Sequence, residues 1–98
     1  MKLSSSPWGT PDNQHELAAG IISLDTSSHG GIWISAVRRA AMPAALRQIE
    51  TFAGGNWYEE DCDWAIVALA FPDAFTPRDI AVARQTFDSY HAPKAAAA

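Results

Sequence analysis

The sequence predicts an α+β domain, a β-hairpin or small antiparallel sheet packed against two or three helices. Three observations carry that expectation. Ile32-Trp33-Ile34 is β-branched and aromatic and follows a run of turn formers, Thr26-Ser27-Ser28-His29-Gly30-Gly31. After Ser35 the composition changes to Ala, Arg and Leu, residues that favour helix. The 98 residues are 48% hydrophobic and 18% charged, the balance of one globular domain rather than of two, a fibre or a disordered segment.

In chain order, Pro7 to Asn13 is rich in Pro, Gly, Asp and Asn and reads as turns, with Trp8 pinning the arm to the body. Glu16 to Asp25 alternates weakly: Ala18, Ile22 and Leu24 fall on one side of an extended chain, and Leu17, Ala19 and Ile21 on the other. This predicts one strand with Gly20 as a bulge, joined through the 26–31 turn to a second strand to give a hairpin over Glu16 to Ser35. Ala45, Leu46, Ile49 and Phe52 then stand at helical spacing behind Pro43, and Gly54-Gly55 stops that helix. Glu59 to Phe71 begins acidic and becomes apolar on every face, and its alanines and length favour a buried helix over a strand. A last helix starts at Thr76, which can cap it, with Pro77 in the first position and Asp79 placed for a capping box; Ile80, Ala83, Phe87 and Tyr90 form its apolar stripe. Residues 1–92 are expected to form a single compact domain. The tail at 93–98, Pro-Lys-Ala-Ala-Ala-Ala, has no apolar pattern to dock and is expected to be flexible.

Eleven acids against seven bases, a formal charge of −4, oppose direct nucleic-acid binding, which needs clustered Lys and Arg to displace counterions from phosphates. The longest apolar run, Trp64 to Pro72, falls short of the roughly 20 residues that span a bilayer. Met1 to Ser6 lacks the apolar stretch of a signal peptide. Cys62 stands alone and cannot form an intramolecular disulfide, so the expected location is the cytoplasm. Arg38, Arg39 and Arg47, the only basic grouping, are expected in solvent or in internal ion pairs. The four tryptophans are expected to be core or half-buried.

The most unusual segment is Trp57-Tyr58-Glu59-Glu60-Asp61-Cys62-Asp63-Trp64. Between Gln48 and Pro77 the acids are Glu50, Glu59, Glu60, Asp61, Asp63 and Asp73, without a Lys or Arg. Two readings compete: a solvated helix start whose carboxylates offset the helix dipole, or a recognition patch that draws a basic partner to aromatic anchors. A calcium or magnesium site is a third, but the EF-hand spacing is absent. Cys62 lies between Asp61 and Asp63, which would raise the pKa of a nucleophilic thiol. Ser28, His29 and Gly30 could supply a base and an oxyanion-binding backbone, yet the same residues suit a hairpin turn. His15, His29 and His91 lack i, i+4 spacing, so neither a metal site nor a cofactor is expected.

Taken together, Pro7-Trp8-Gly9, Thr26-Ser27-Ser28-His29-Gly30-Gly31-Ile32 and Trp57-Tyr58-Glu59-Glu60-Asp61-Cys62-Asp63-Trp64-Ala65 resemble an uncharacterised family of small domains from proteobacteria, their phages and conjugative elements. The resemblance covers roughly Pro7 to Phe75 and brings a genomic setting without catalytic residues. That setting implies an accessory role between mobile DNA and host defence, as in anti-CRISPR inhibitors. The resulting expectation is a non-enzymatic protein that binds a nucleic-acid-targeting defence complex, such as a Cas effector, through Glu59, Glu60, Asp61 and Asp63 with Trp57 and Tyr58 as anchors. The alternatives are a small enzyme or ligand-binding domain built on Ser28, His29 and Gly30, and a self-associating module with a homodimer face.

Overall fold

A computed structural model describes residues 2–91; the tail expected at 93–98 lies outside them. The architecture is α+β. Four antiparallel strands, β1 (Asn13–Ala18), β2 (Ile21–Asp25), β3 (Gly30–Ile34) and β4 (Trp57–Glu59), form one sheet in sequence order. The helices are α1 (Ala36–Ala41), α2 (Ala44–Arg47), α3 (Trp64–Ala70) and α4 (Pro77–Tyr90), with a 3-10 turn at Pro72–Ala74 between the last two.

Strand alternation divides the sheet into two faces. Register pairs Ile21 with Ile34 and Ile32 with Tyr58, and these residues join Met42, Ile66 and Val67 in the core beneath the helices. Ile22, Trp33 and Trp57 are aligned on the opposite face. There the N-terminal arm folds over, with Trp8 meeting Trp57 edge-on at a centroid distance of 5.8 Å. A Cβ on Gly31 would lie 2.5 Å from the Trp8 ring and would also strike the Tyr58 carbonyl. Only glycine admits the Trp8 ring at this point.

The hairpin through the 26–31 turn forms, but three expected elements change. The strand expected over Glu16 to Asp25 is two strands, because the chain reverses at Ala19-Gly20. Gly20 has φ +82°, a Cβ there would lie 2.6 Å from Ser35 Oγ, and the ladder irregularity falls between Glu16 and Ala18, at Leu17. The helix expected over Ala44 to Phe52 is only Ala44–Arg47, with Leu46 and Ile49 packed on the core and Phe52 89% exposed. Gly54 and Gly55 do take left-handed conformations that end this region. The buried helix expected over Glu59 to Phe71 is instead the end of β4, a turn, and α3.

The last helix forms as expected, with Ile80, Ala83 and Phe87 packed inward, but Tyr90 of the expected apolar stripe is exposed. Thr76 Oγ1 accepts from the Asp79 amide at 3.1 Å and the Asp79 carboxylate accepts from the Thr76 amide, completing the capping box. Ala83 meets Ala65 and Ala68 in a seam of small side chains that lets α3 and α4 approach closely. Arg38 and Arg47 are half-buried, with their guanidinium groups on backbone carbonyls. Arg38 donates to the Ala19 carbonyl and lies over the Phe71 ring, and Arg47 donates to the Ala40 and Met42 carbonyls at the end of α1. Among the described residues no helix is long and apolar enough to cross a membrane.

Candidate functional site

The segments singled out in the sequence converge at one end of the sheet. The Glu60 amide donates to the Gly30 carbonyl and Gly31 pairs with Glu59, so the 26–31 turn lies against the turn after β4. Thr26 Oγ1 organises the first turn. It donates to the His29 and Trp8 carbonyls and accepts from the Ser28 and His29 amides. These bonds commit the 28–30 backbone to the turn, where Ser28 and His29 are exposed and Gly30 is buried. The three quoted motifs are therefore one packing unit, tied by Trp8 on Gly31, Trp8 on Trp57 and Thr26 on Trp8.

The six residues expected to form an exposed acidic and aromatic patch separate into two groups. Glu60 and Asp61 are exposed and Trp57 is half-buried. Glu59, Asp63 and Tyr58 turn inward, at 9%, 2% and 1% exposure. Tyr58 does so because it sits on the helix-facing side of β4, its hydroxyl toward Met42 Sδ; burial raises its pKa despite the nearby Arg39. Glu59 accepts from the Cys62 amide at 3.0 Å. Burial alone would raise the Glu59 pKa, but bonds from Cys62 and Asp61 outweigh it and hold the carboxyl below its ordinary value. The Asp61 carboxyl shifts upward, chiefly through its hydrogen bond and repulsion with Glu59. Asp63 stands at the N-cap of α3 without capping it. Its Oδ2 instead accepts from the Phe52 amide at 2.7 Å, while Oδ1 faces His91 Nε2 at 3.4 Å.

This places a third group beside Asp63 that spacing along the chain could not reveal. His91, at the C-cap of α4, is 4% exposed, packs on Phe87, and lies 3.2 Å from the Cys62 carbonyl. Ligand atoms of Cys62, Asp63 and His91 all lie within 4.8 Å of one another. Burial, then Asp63 and Glu59, push the Cys62 thiol up to about 11. At neutral pH it is therefore a thiol and not a nucleophilic thiolate.

A separate groove of about 550 Å³ opens where the sheet meets α3 and the start of α4. Leu17, Trp64 and Phe75 furnish apolar walls, and the exposed carboxylates Asp25, Glu60, Asp73 and Asp79 surround it; among the described residues that line it there is no Lys or Arg. Leu17 enters this lining from the irregularity in β1. Of these groups only Glu60 belongs to the patch read from the sequence, because β2, the 3-10 turn and α4 bring the other carboxylates in from distant positions.

The model of a domain of unknown function, DUF7007, matches residues 1–97. The chain belongs to the DUF7007 family. Comparison with curated proteins and with solved structures gives no match. For this DUF7007 domain, the packing of Trp8, Gly31 and Trp57 gives the quoted motifs a structural role.

Proposed function

We propose that the domain is a non-enzymatic binding protein that receives a Lys- or Arg-bearing segment of a protein partner in the groove bordered by Asp25, Glu60, Asp73 and Asp79. One observation carries this reading: four exposed carboxylates surround apolar walls, and among the described residues that line it there is no Lys or Arg. Carboxylates around a concavity speed encounter with a basic partner, and Trp64 and Phe75 offer apolar area for the stems of its Lys or Arg side chains. Glu60 keeps the contact role expected from the sequence, while Asp61 is exposed on the same turn without lining the groove. Glu59, Asp63 and Tyr58 become supports that shape the turn from within.

The partner class is the one implied by the family resemblance, a nucleic-acid-targeting defence complex in the bacterial cytoplasm, inhibited in an anti-CRISPR-like manner. A basic channel that binds a nucleic-acid backbone presents the Lys and Arg clusters that such a groove would engage. The test is capture of a purified Cas effector by tagged domain, with Glu60→Lys/Asp73→Lys beside the parent protein. Retention at low salt, weakening at moderate salt, and loss in the double variant at an unchanged melting temperature are expected, since exposed charge pairs are screened over about 8–10 Å at these ionic strengths. Equal retention by the double variant would contradict the groove as the contact surface.

A further inference from the structure

We propose that Cys62, Asp63 and His91 form a binding site for a transition-metal dication of the zinc class, with its remaining coordination position open to a cleft. This site is distinct from the proposed docking groove, and neither proposal depends on the other.

The ligand set points to zinc. A thiolate sulfur, an imidazole nitrogen and a carboxylate oxygen suit Zn²⁺, whereas calcium and magnesium take oxygen ligands; the ion would displace the Cys62 thiol proton, which passes to solvent as the Zn–S bond forms. The geometry requires little movement. Zinc bonds of about 2.0–2.3 Å arranged tetrahedrally place neighbouring ligand atoms about 3.3–3.6 Å apart. The Asp63 Oδ1 to His91 Nε2 distance is 3.4 Å, Cys62 Sγ to Asp63 Oδ1 is 3.8 Å, and all three ligand atoms fall within 4.8 Å of one another.

The surroundings orient these ligands as supporting groups do around metals. The Phe52 amide holds Asp63 Oδ2 and so aims Oδ1 at the cluster. Glu59 Oε1 accepts from the Cys62 amide and lies 3.6 Å from its sulfur, fixing the turn that presents the thiol. Phe87 packs against the His91 ring. Asp63 and His91 are both more than nine-tenths buried, so the donors are ordered before any ion arrives. The same three residues line a cleft of about 900 Å³ with Gln48, Glu50 and Tyr90, with no Lys or Arg among the described residues that line it. Three protein ligands facing an open cleft leave a position for water or for a donor atom of an incoming molecule. The ion would also link the end of α4 to the turn before α3, two segments 28 positions apart from Asp63 to His91.

The test uses Co²⁺ and Zn²⁺ on the full chain. Saturating Co²⁺ is expected to give the near-ultraviolet sulfur-to-cobalt charge-transfer band and the visible bands of a tetrahedral ion. Zn²⁺ at about a hundred times its Kd should raise the melting temperature by roughly 10 °C or more, while Mg²⁺ and Ca²⁺ leave it unchanged. Cys62→Ser should keep the far-ultraviolet circular dichroism of the parent and lose the charge-transfer band, and His91→Ala should lose most of the Zn²⁺ shift. Glu60→Gln, which removes an exposed acid of the same turn that does not touch the three ligands, should retain both signals. Absence of the sulfur band at saturating Co²⁺, or a Zn²⁺ shift that survives in Cys62→Ser and vanishes in Glu60→Gln, would overturn the proposal.

Discussion

Gly31 and Cys62 are two residues whose roles follow from what surrounds them. A methyl group at Gly31 meets the Trp8 ring and the Tyr58 carbonyl. Gly31→Ala should therefore cost about 1–3 kcal/mol, read as a lower urea midpoint at unchanged slope. In metal-free protein the raised Cys62 thiol also has a pH signature. Its folded pKa of about 11 stands above the unfolded value of about 8.5, so the folded state holds the proton longer. The associated stability is complete below the unfolded pKa and is lost as pH rises toward the folded one. Between about pH 8.5 and 11 the domain should lose roughly 1–2 kcal/mol, allowing for partial exposure, and Cys62→Ser should flatten that slope. Alkylation of Cys62 at pH 8 with a chelator present should be roughly a hundred times slower in folded than in unfolded protein. Of the causes of the raised thiol pKa, Asp63 was legible from Asp61-Cys62-Asp63, whereas burial, the largest, and Glu59 in place of Asp61 were not. The approach of His91 was not legible, because it depends on where α4 ends relative to the β4–α3 turn.

Local chemistry at the ends of elements was easier to read than the elements between them. Thr76, Pro77 and Asp79 carry a cap whose hydrogen bonds lie within four residues, and the structure contains it. Thr76→Ala should cost about 1 kcal/mol, measurable as a lower melting temperature. Glu16 to Asp25 concealed a reversal because Gly20 suits a bulge and a turn equally well on local grounds. The choice was made by Ser35, whose amide bonds to the Gly20 carbonyl and whose Oγ occupies the space of a Cβ there. In the 57–71 segment the apolar run hid a change from period 2 to helix, since Tyr58 is buried on the sheet and Ala65 to Ala68 are buried in the helix. Burial on both sides of a junction erases the alternation that would mark it.

At the scale of the molecule, the α+β class was legible in the division of composition at Ser35, whereas the acid-bordered groove was not. Asp25, Glu60, Asp73 and Asp79 are scattered along the chain, and only the order β1-β2-β3-β4, with α3 against the sheet and α4 packed on α3, assembles them. The net charge of −4 adds a long-range attraction for basic partners, so association with the captured complex should slow as salt is added while dissociation changes less. The most direct measurement is amide hydrogen exchange of the domain alone and bound to that purified complex. New protection is expected at Leu24 and Asp25, around Glu60, and from Asp73 to Asp79, with little change at Ala44 to Gly55. Protection confined to Ala44 to Gly55 or to the free edge of β1, with the groove unchanged, would contradict docking in the groove.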